Sequence, residues 1–553
     1  MIRFQGKGVC AGIALGTVTL FQRKTVTTFK HKISDTETEL RRLHQAIHKA
    51  VDQLEHLAAD TKHTLGDNEA QIFEIHAMML EDEDLMKAMT ECITQQQWNA
   101  EYAVHTTSEA FAARFAAMNE SYMQAREADV RDIGQRLLRC LAKEQVTDDA
   151  ITKPCILCAD DLTPSETAGI TIGTVLAFAT AKGSTSSHTA ILARSMNIPA
   201  VVALGDAFYD SLHNGDTILI DGDTGECILC PDEETVSAAK EKQNRIAGKI
   251  HALHALCGAE TITKDGRKIL LYANIGHPDE MASAIKNGAE GIGLYRSEFL
   301  YLRQKTYPDE ITQMQAYRSL LEQTPEQRVV IRTLDMGADK QADYFQLPQE
   351  DNPALGVRGI RLCLARPNLF RTQLRALYRA SVYGKLCIMF PMIAAAEELQ
   401  EALDICSSVR SELNAEGLAF SDHVELGIMI ETPAAAVISD QLAELVDFFS
   451  IGTNDLTQYT LACDRQNVHL EYLTAKHSQA VLRLMERTIQ NAHAKGIWVG
   501  ICGEMASDLQ LAESFLQMGA DELSVSPKDI LPLRECIRDL DMEADHKTKT
   551  DTH

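Results

Sequence analysis

Between residues 40 and 57 the apolar side chains return at steps of three and four, at Leu40, Leu43, Ile47, Val51, Leu54 and Leu57. A helix puts such positions on one face, so the stretch predicts an amphipathic helix, opened by a capping box of Ser34 with Glu37. The same spacing predicts helices from about Gln71 to Cys92, from Glu101 to Met118 and from Met123 to Leu141, which makes residues 30 to 143 an all-helical block. On either side of this block the pattern is that of strands. "GIALGTVTLF" near the N-terminus reads as turn and strand, and "ILCAD" (156–160), "TVLAFAT" (174–180), "AVVAL" (200–204) and "DTILID" (216–221) are short apolar runs with turn residues between them. The helical segment 23–143 is therefore predicted to be inserted in a small α/β domain made from residues 1–22 and 144–231.

From Pro231 the charged, helix-forming run "PDEETVSAAKEKQNRIAGKIHALHAL" predicts a helical linker over 232–259. The rhythm then changes again. Eight apolar runs alternate with helical stretches: "ILLYANI", "GIGLYRSE", "VVIRTLD", "LCIMFPM", "ELGIMIE", "FFSIGTND", "IWVGICGE" and "ELSVS". Eight βα units in fewer than about 300 residues predict a C-terminal (β/α)8 TIM barrel over 260–541. The polar tail, 542–553, reads as disordered.

Composition narrows the classes. With 45% hydrophobic and 24% charged residues the chain has the make-up of a multidomain globular protein, and no apolar run reaches membrane-spanning length, so no membrane insertion is expected. The start, "MIRFQGKGVCAGIALGTVTLF", puts basic residues before an apolar stretch, but glycines and a lysine interrupt it, and a cytoplasmic location is expected rather than export. A net charge of -26 argues against nucleic acid or an anionic membrane surface as partner and favours a basic protein. Among 14 cysteines, "CILC" occurs twice, at Cys155 to Cys158 and Cys227 to Cys230. A zinc site is set aside there, because Ile and Leu lie inside strand-like runs that send the two sulfurs to opposite faces.

In TIM barrels chemistry sits at the C-terminal ends of the strands. Polar residues collect there: Arg296 after the second run, Arg332 and Asp335 at the third, Glu431 at the fifth, Asn454 and Asp455 at the sixth, Cys502 and Glu504 at the seventh. Alone, any of them is an ordinary solvated strand end. Together, Arg296, Arg332, Arg358, Lys340 and Arg465 could converge on a small polyanion, and Glu431 and Asp455, one βα unit apart, could share a hard cation such as Mg²⁺. A phosphorylated carboxylic acid satisfies both sets. Cys502 could act as acid or base at carbon, although a small buried cysteine is the commoner role. In "GSTSSHTAILAR", Gly183 to Arg194, a single histidine stands between hydroxyl residues and a helix start; by itself His188 would be a cap or a gap filler.

In order along residues 4 to 540, "DLTPSETA", "TSSHTAILAR", "IDGDTGE", "GIGLYRSEFLY", "RTLDMGADK", "NPALGVRGIR", "FPMI", "GIMIETPAAA", "SIGTNDLTQYTLACDR" and "GICGEMASD" resemble enzyme I of the bacterial phosphoenolpyruvate:sugar phosphotransferase system. The resemblance implies that His188 accepts the phosphoryl group of phosphoenolpyruvate and hands it to a histidine of the carrier protein HPr, with release of pyruvate, as the first step of sugar uptake. It implies that Arg296, Arg332, Arg358 and Arg465 hold the substrate, that Asn454 touches its phosphate, that Glu431 and Asp455 bind Mg²⁺, and that Cys502 gives a proton to the enolate carbon. The α/β part would be a swivelling phosphohistidine domain hinged at the linker, the helical insert would dock HPr, and the barrels would pair as a homodimer.

Chemistry agrees, since neutral imidazole is a competent nucleophile and a helix N-terminus accepts added negative charge. The His188 ring is expected on an exposed edge, with Thr167 or Ser187 fixing its tautomer, and Met78, Met79 and Leu85 are divided between docking contacts and helix core. The chain departs from the family where the active loop usually reads GGRTSH: here Thr185 replaces the arginine, which removes a cation near the transferring group. Near the N-terminus Cys10 and Ala11 stand where Ser and Pro are usual. Two rivals remain open at this point: a dikinase-like phosphoenolpyruvate enzyme, and a catalytically silent or carrier-specialised paralogue acting as a regulatory binding protein.

Overall fold

The computed structural model of the chain describes residues 1–21, 28–64, 67–118, 121–142, 153–167, 173–185, 187–302, 304, 306–337, 343–348, 350–465, 467, 470–474 and 478–542. The chain divides into two compact units, Met1–Gly248 and Lys249–His553.

In the first unit, β1 (Ile2–Gln5), β2 (Lys7–Cys10), β3 (Ile13–Leu20), β4 (Cys155–Ala159), β5 (Val175–Thr180), β6 (Ala200–Val202), β7 (Thr217–Asp221) and β8 (Glu226–Leu229) form one sheet in the order β1-β8-β7-β3-β4-β5-β6-β2. β3 runs antiparallel to β7 and parallel to β4. The chain leaves the sheet after β3, builds five helices among the described residues and returns as the adjacent strand, so the helices are an insertion, as the patterning predicts. These are α1 (Thr36–Thr64), α2 (Asp67–Leu80), α3 (Glu83–Thr94), α4 (Ala100–Ala116) and α5 (Ser121–Leu141). Leu43, Ile47, Leu54, Phe73, Met89, Val104, Ile133 and Leu137 share their core.

Two local expectations need correction. Asp35, not Ser34, caps α1: its carboxylate accepts from the Thr38 backbone N–H at 3.0 Å and from the Thr38 hydroxyl at 2.6 Å. The predicted single helix over 71–92 is two, because Asp82 turns extended and caps α3 by accepting from the N–H groups of Asp84 and Leu85. An unbroken apolar period hides such a break when the capping residue lies within an acidic run.

Alternation along the strands feeds two faces of the sheet. Ile156 and Cys158 join one core with Val18, Ile218, Ile220 and Cys227, while Leu157 and Ala159 join another with Phe178, Ala190, Leu192 and Ala193. Of the paired "CILC" cysteines, Cys158 and Cys227 are thus buried together and Cys230 is exposed. The second face carries the short helices α6 (Pro164–Thr167) and α7 (His188–Ser195). The linker pattern is a helix, Glu233–His254, that is tied to the sheet along its first half: Ala239 packs with Leu219 and Ile228, Lys242 Nζ lies 2.6 Å from an Asp221 carboxylate oxygen, and Gln243 donates to the Ile13 carbonyl. The first half of this helix therefore belongs with the sheet of the first unit.

In the second unit, β9 (Leu270–Ile275), β10 (Ile292–Arg296), β11 (Arg328–Arg332), β12 (Lys385–Phe390), β13 (Glu425–Ile430), β14 (Phe448–Gly452), β15 (Trp498–Cys502) and β16 (Glu522–Val525) close into an all-parallel barrel, the predicted TIM barrel. Its interior is packed with Leu294, Val330, Cys387, Met389, Met429, Phe448 and Cys502. The Phe448 ring fits because Gly427 has no side chain, a Cβ there standing 2.5 Å from it, and it stacks on Trp498 at 4.5 Å. Met542, assigned to the tail, is anchored by its backbone N–H on Asp265; the remainder of the tail, 543–553, lies outside the described residues. Among the described residues no helix is long and apolar enough to cross a membrane.

Candidate active site

At the C-terminal end of the barrel the parallel register sets Arg296 and Arg332 side by side on β10 and β11, and Gly452 beside Cys502 on β14 and β15. Arg332 is 5% exposed and lies 2.6 Å from Glu298 Oε1 and 3.1 Å from Asp335 Oδ2. Arg358, brought in by the loop after β11, donates to Asp335 at 3.0 Å, to Asp455 at 3.5 Å and to the Tyr459 hydroxyl at 3.2 Å. Burial works against the charge of these guanidiniums, but the carboxylates of Glu298 and Asp335 around Arg332, and of Asp335 and Asp455 around Arg358, more than offset it and hold both firmly protonated.

Glu431 completes the cluster from the end of β13. Its Oε1 accepts from the Met392 backbone N–H at 2.7 Å, and its Oε2 is buried with no hydrogen-bond partner among the described residues. Burial, followed by the nearby charges of Asp455 and Asp335, pushes its carboxyl up to about 8. Glu298, Asp335, Glu431 and Asp455 thus outnumber the two buried guanidiniums, and a trianionic substrate would meet a net acidic cup. A divalent cation answers both observations: it fits the orphaned Glu431 oxygen and the surplus of carboxylate.

Cys502 is 1% exposed, accepts from the Ser450 hydroxyl at 3.4 Å, and its carbonyl accepts from Thr453. Burial pushes its thiol up to about 12 against the opposing effect of the Ser450 bond, so it remains S–H. Asn454 is engaged with Glu504, giving its amide to a carboxylate oxygen at 3.3 Å and accepting from the Glu504 backbone N–H at 2.9 Å, which clips the β14 and β15 ends together. Arg296 and Arg465 are exposed, with no side-chain hydrogen bond or ion pair among the described residues, and so are free cations beside the paired ones. Lys340 lies outside the described residues.

His188 opens α7 in the other unit, after Ser187 in extended conformation. Its ring is half-buried, which corrects the exposed edge expected from the sequence. Burial lowers its pKa to about 4; Asp132 and Asp129 pull the other way and His76 adds to the lowering. His76 itself is fully buried, 3.4 Å from Asp129 and 3.6 Å from Asp132, and the Thr163 hydroxyl donates to Asp132 at 2.9 Å. Ser187 Oγ is buried without a hydrogen-bond partner among the described residues, so it does not fix the imidazole tautomer; the Thr167 side chain lies outside them. Arg194, in the last turn of α7, reaches back to donate to the Thr185 carbonyl at 2.6 Å and the Val9 carbonyl at 3.0 Å. On the helical insert Met78 is exposed above the exposed acids Glu81 to Asp84, whereas Leu85 is core and Met79 packs against it.

Sequence reasoning missed His76, Asp129 and Asp132 around His188, and Glu298, Ser450 and Tyr459 in the barrel. The signal for the first group was polar residues at core-facing positions of α2 and α5, with Asp129 and Asp132 one turn apart.

A barrel whose strand ends gather buried guanidiniums, crowded carboxylates and a protonated thiol is built for a small phosphorylated acid. Family models match along the chain as "PEP-utilising enzyme, N-terminal" over residues 5–126, "PEP-utilising enzyme, mobile domain" over 151–225 and "PEP-utilising enzyme, PEP-binding domain" over 252–542. Phosphoenolpyruvate-protein phosphotransferase of Bacillus subtilis (strain 168) is 43% identical over 541 residues, covering 98% of this chain and 95% of its own. The protein of the same name from Geobacillus stearothermophilus is 43% identical over 539 residues, with 97% and 93% covered. A solution NMR structure of an Enzyme I protein is 32% identical, covers 44% of this chain and 99% of its own, and superposes with a TM-score of 0.38. The chain belongs to the phosphoenolpyruvate-protein phosphotransferase family of PEP-utilising enzymes.

Proposed function

We propose that the protein moves the phosphoryl group of phosphoenolpyruvate to His188 and from there to a histidine of an HPr-like phosphocarrier, releasing pyruvate, in the cytoplasm and as a homodimer paired through its barrel. The observation that carries this reading is the pairing of an uncharged His188 with a separate cup of buried cations. Glu431 and Asp455 would hold Mg²⁺, with the unpartnered Glu431 oxygen and the surplus of carboxylate as support. When bound, the ion would draw charge from the substrate's phosphate and carboxylate oxygens.

The chain's own groups supply the rest. Arg332 and Arg358, fixed by their carboxylates, present preorganised charge to the phosphoryl oxygens, and exposed Arg296 and Arg465, with Asn454, close on the phosphate and carboxylate as substrate enters. Lys340, in "MGADK" after the third apolar run of the barrel, is assigned to the same anion as the fifth cation of that set. His188 attacks phosphorus through a ring nitrogen that is unprotonated at neutral pH, and enolpyruvate leaves. Cys502 then gives its S–H proton to the enolpyruvate carbon, which makes pyruvate and draws transfer forward. Delivery of His188 to the cup requires a swivel, for which the chain beyond Gln243 is available. Exposed Met78 with Glu81 to Asp84 suits a basic carrier of this kind.

The test is to mix purified protein with Mg²⁺ and labelled phosphoenolpyruvate. Acid-labile label should appear on the protein, be absent from His188→Ala, and pass to an HPr-like carrier. No label would overturn the reading, and label arriving only from ATP would point to dikinase-like chemistry. Sedimentation of the full chain tests the dimer.

A further inference from the structure

Cys502 lies in the barrel interior among Leu294, Val330, Met389, Met429 and Phe448. One neighbour of its sulfur is not apolar. Ser450 is 2% exposed, and a buried hydroxyl costs free energy unless it is hydrogen-bonded. The one hydrogen bond of its side chain among the described residues goes to Cys502, whose Sγ accepts from it at 3.4 Å. Register explains the choice. Ser450 stands directly opposite Gly500 across β14 and β15, and Gly500 has no side chain to meet. The space beside Gly500 is taken by Glu522 at the start of β16, whose Oε2 would stand 1.9 Å from a Cβ on that glycine. The Ser450 hydroxyl therefore turns to the diagonal neighbour two residues on along the same face of β15, which is Cys502. Thr453, just after β14, donates to the Cys502 carbonyl at 2.9 Å, so the backbone of Cys502 has a support of its own and the serine bond bears on its sulfur.

We propose that Ser450 is a positioning residue for the proton that Cys502 delivers. The proposal rests on the reading of Cys502 as the donor to enolpyruvate. In that step the S–H bond breaks as the enolate double-bond electrons form the new C–H bond, and the sulfur keeps the S–H electron pair as a thiolate. A thiolate at a buried sulfur is costly, and the Ser450 bond stands first among the effects that oppose burial there. The serine O–H donates more strongly to an ionised acceptor than to a neutral one, so its help grows as the proton leaves. It also settles direction. The sulfur is the acceptor in this pair, so the thiol proton is not spent on Ser450 and is left for the substrate. Once pyruvate has gone, the thiolate takes a proton from the water that replaces it. Ser450 keeps its own proton throughout and acts only through Cys502.

The experiment mixes the full chain, equilibrated in tritiated water with Mg²⁺, with phosphoenolpyruvate that carries a labelled phosphate and one stereospecific deuterium on its methylene carbon, and follows a single turnover. Label on His188, pyruvate, and the handedness of the pyruvate methyl group are read; the last records which face received the proton. In Ser450→Ala the labelling of His188 should keep its rate, while pyruvate formation slows about ten- to a hundredfold, the effect of losing a hydrogen bond to a charged group. Methyl groups of both hands should appear, because enolpyruvate escapes and takes its proton in solution. Ser450→Thr and Ser450→Val are close in shape and differ in the hydroxyl; the first should match the unaltered protein and the second the alanine variant, and this pair decides the matter if the alanine variant does not fold. Equal slowing of labelling and of pyruvate formation would mark a packing residue and overturn the proposal, as would a single hand at the unaltered rate without the hydroxyl. Methyl groups of both hands from the unaltered protein would sink the reading of Cys502 as donor, and no label on His188 would sink the functional reading itself.

Discussion

The two reactive surroundings of this chain treat charge in opposite ways. Arg332 and Arg358 are buried and remain charged because carboxylates surround them. His188 also has carboxylates nearby, in Asp129 and Asp132, yet desolvation wins and the ring stays neutral. Intrinsic basicity decides the difference: a guanidinium gives up its proton only far above neutral pH and has carboxylates at 2.6 to 3.5 Å, whereas an imidazole titrates close to neutrality, so desolvation is enough to leave it uncharged. The buried guanidiniums keep their charge, and the His188 ring is left without one.

The comparison breaks most sharply at Cys502. Cys502→Ala should lower pyruvate formation by roughly 10²- to 10⁴-fold while a single round of His188 labelling survives, read by quenched-flow labelling beside a pyruvate assay. Substitution of the cations comes next. Arg332→Leu takes a buried guanidinium from beside Glu298 and Asp335 and should cost about 3–5 kcal/mol of barrel stability, whereas Arg296→Leu should stay within about 0.5 kcal/mol, by chemical denaturation. Both should weaken phosphoenolpyruvate binding, which separates a cation needed by fold and substrate from one needed by substrate alone.

A smaller effect concerns Glu431. Its carboxyl is raised to about 8 in the folded protein, so the folded state holds the extra proton, and stability should fall as pH rises from about 5 to about 8 in chelator. Mg²⁺ should flatten that slope. The smallest effect is at His188, whose imidazole NMR signals should not titrate between about pH 7.5 and about pH 5, since its pKa lies near 4. A midpoint near that of a free histidine would remove the contrast with the arginines.

The barrel was legible because eight short apolar runs alternate with helical stretches, and the polar endings of five of them located Arg296, Arg332, Glu431, Asp455 and Cys502. Register then explains why they meet. The insertion was equally legible, since strand patterns flank the helical block and β3 pairs with β4. What surrounds His188 was not. Asp129 and Asp132 come from a helix more than fifty residues upstream, and no local period says that it brings them within electrostatic reach of His188. Glu522 was hidden for a related reason: at the start of "ELSVS" it looks like a solvated strand end, and only the missing side chain of Gly500, on the neighbouring strand, makes an interior place for it.

Arg194 holds the turn ahead of His188 by main-chain oxygens alone, at Thr185 and Val9. A strut that grips carbonyls is indifferent to which side chains the turn displays. The side chain at Thr185 can therefore change while the backbone leading to His188 keeps its support.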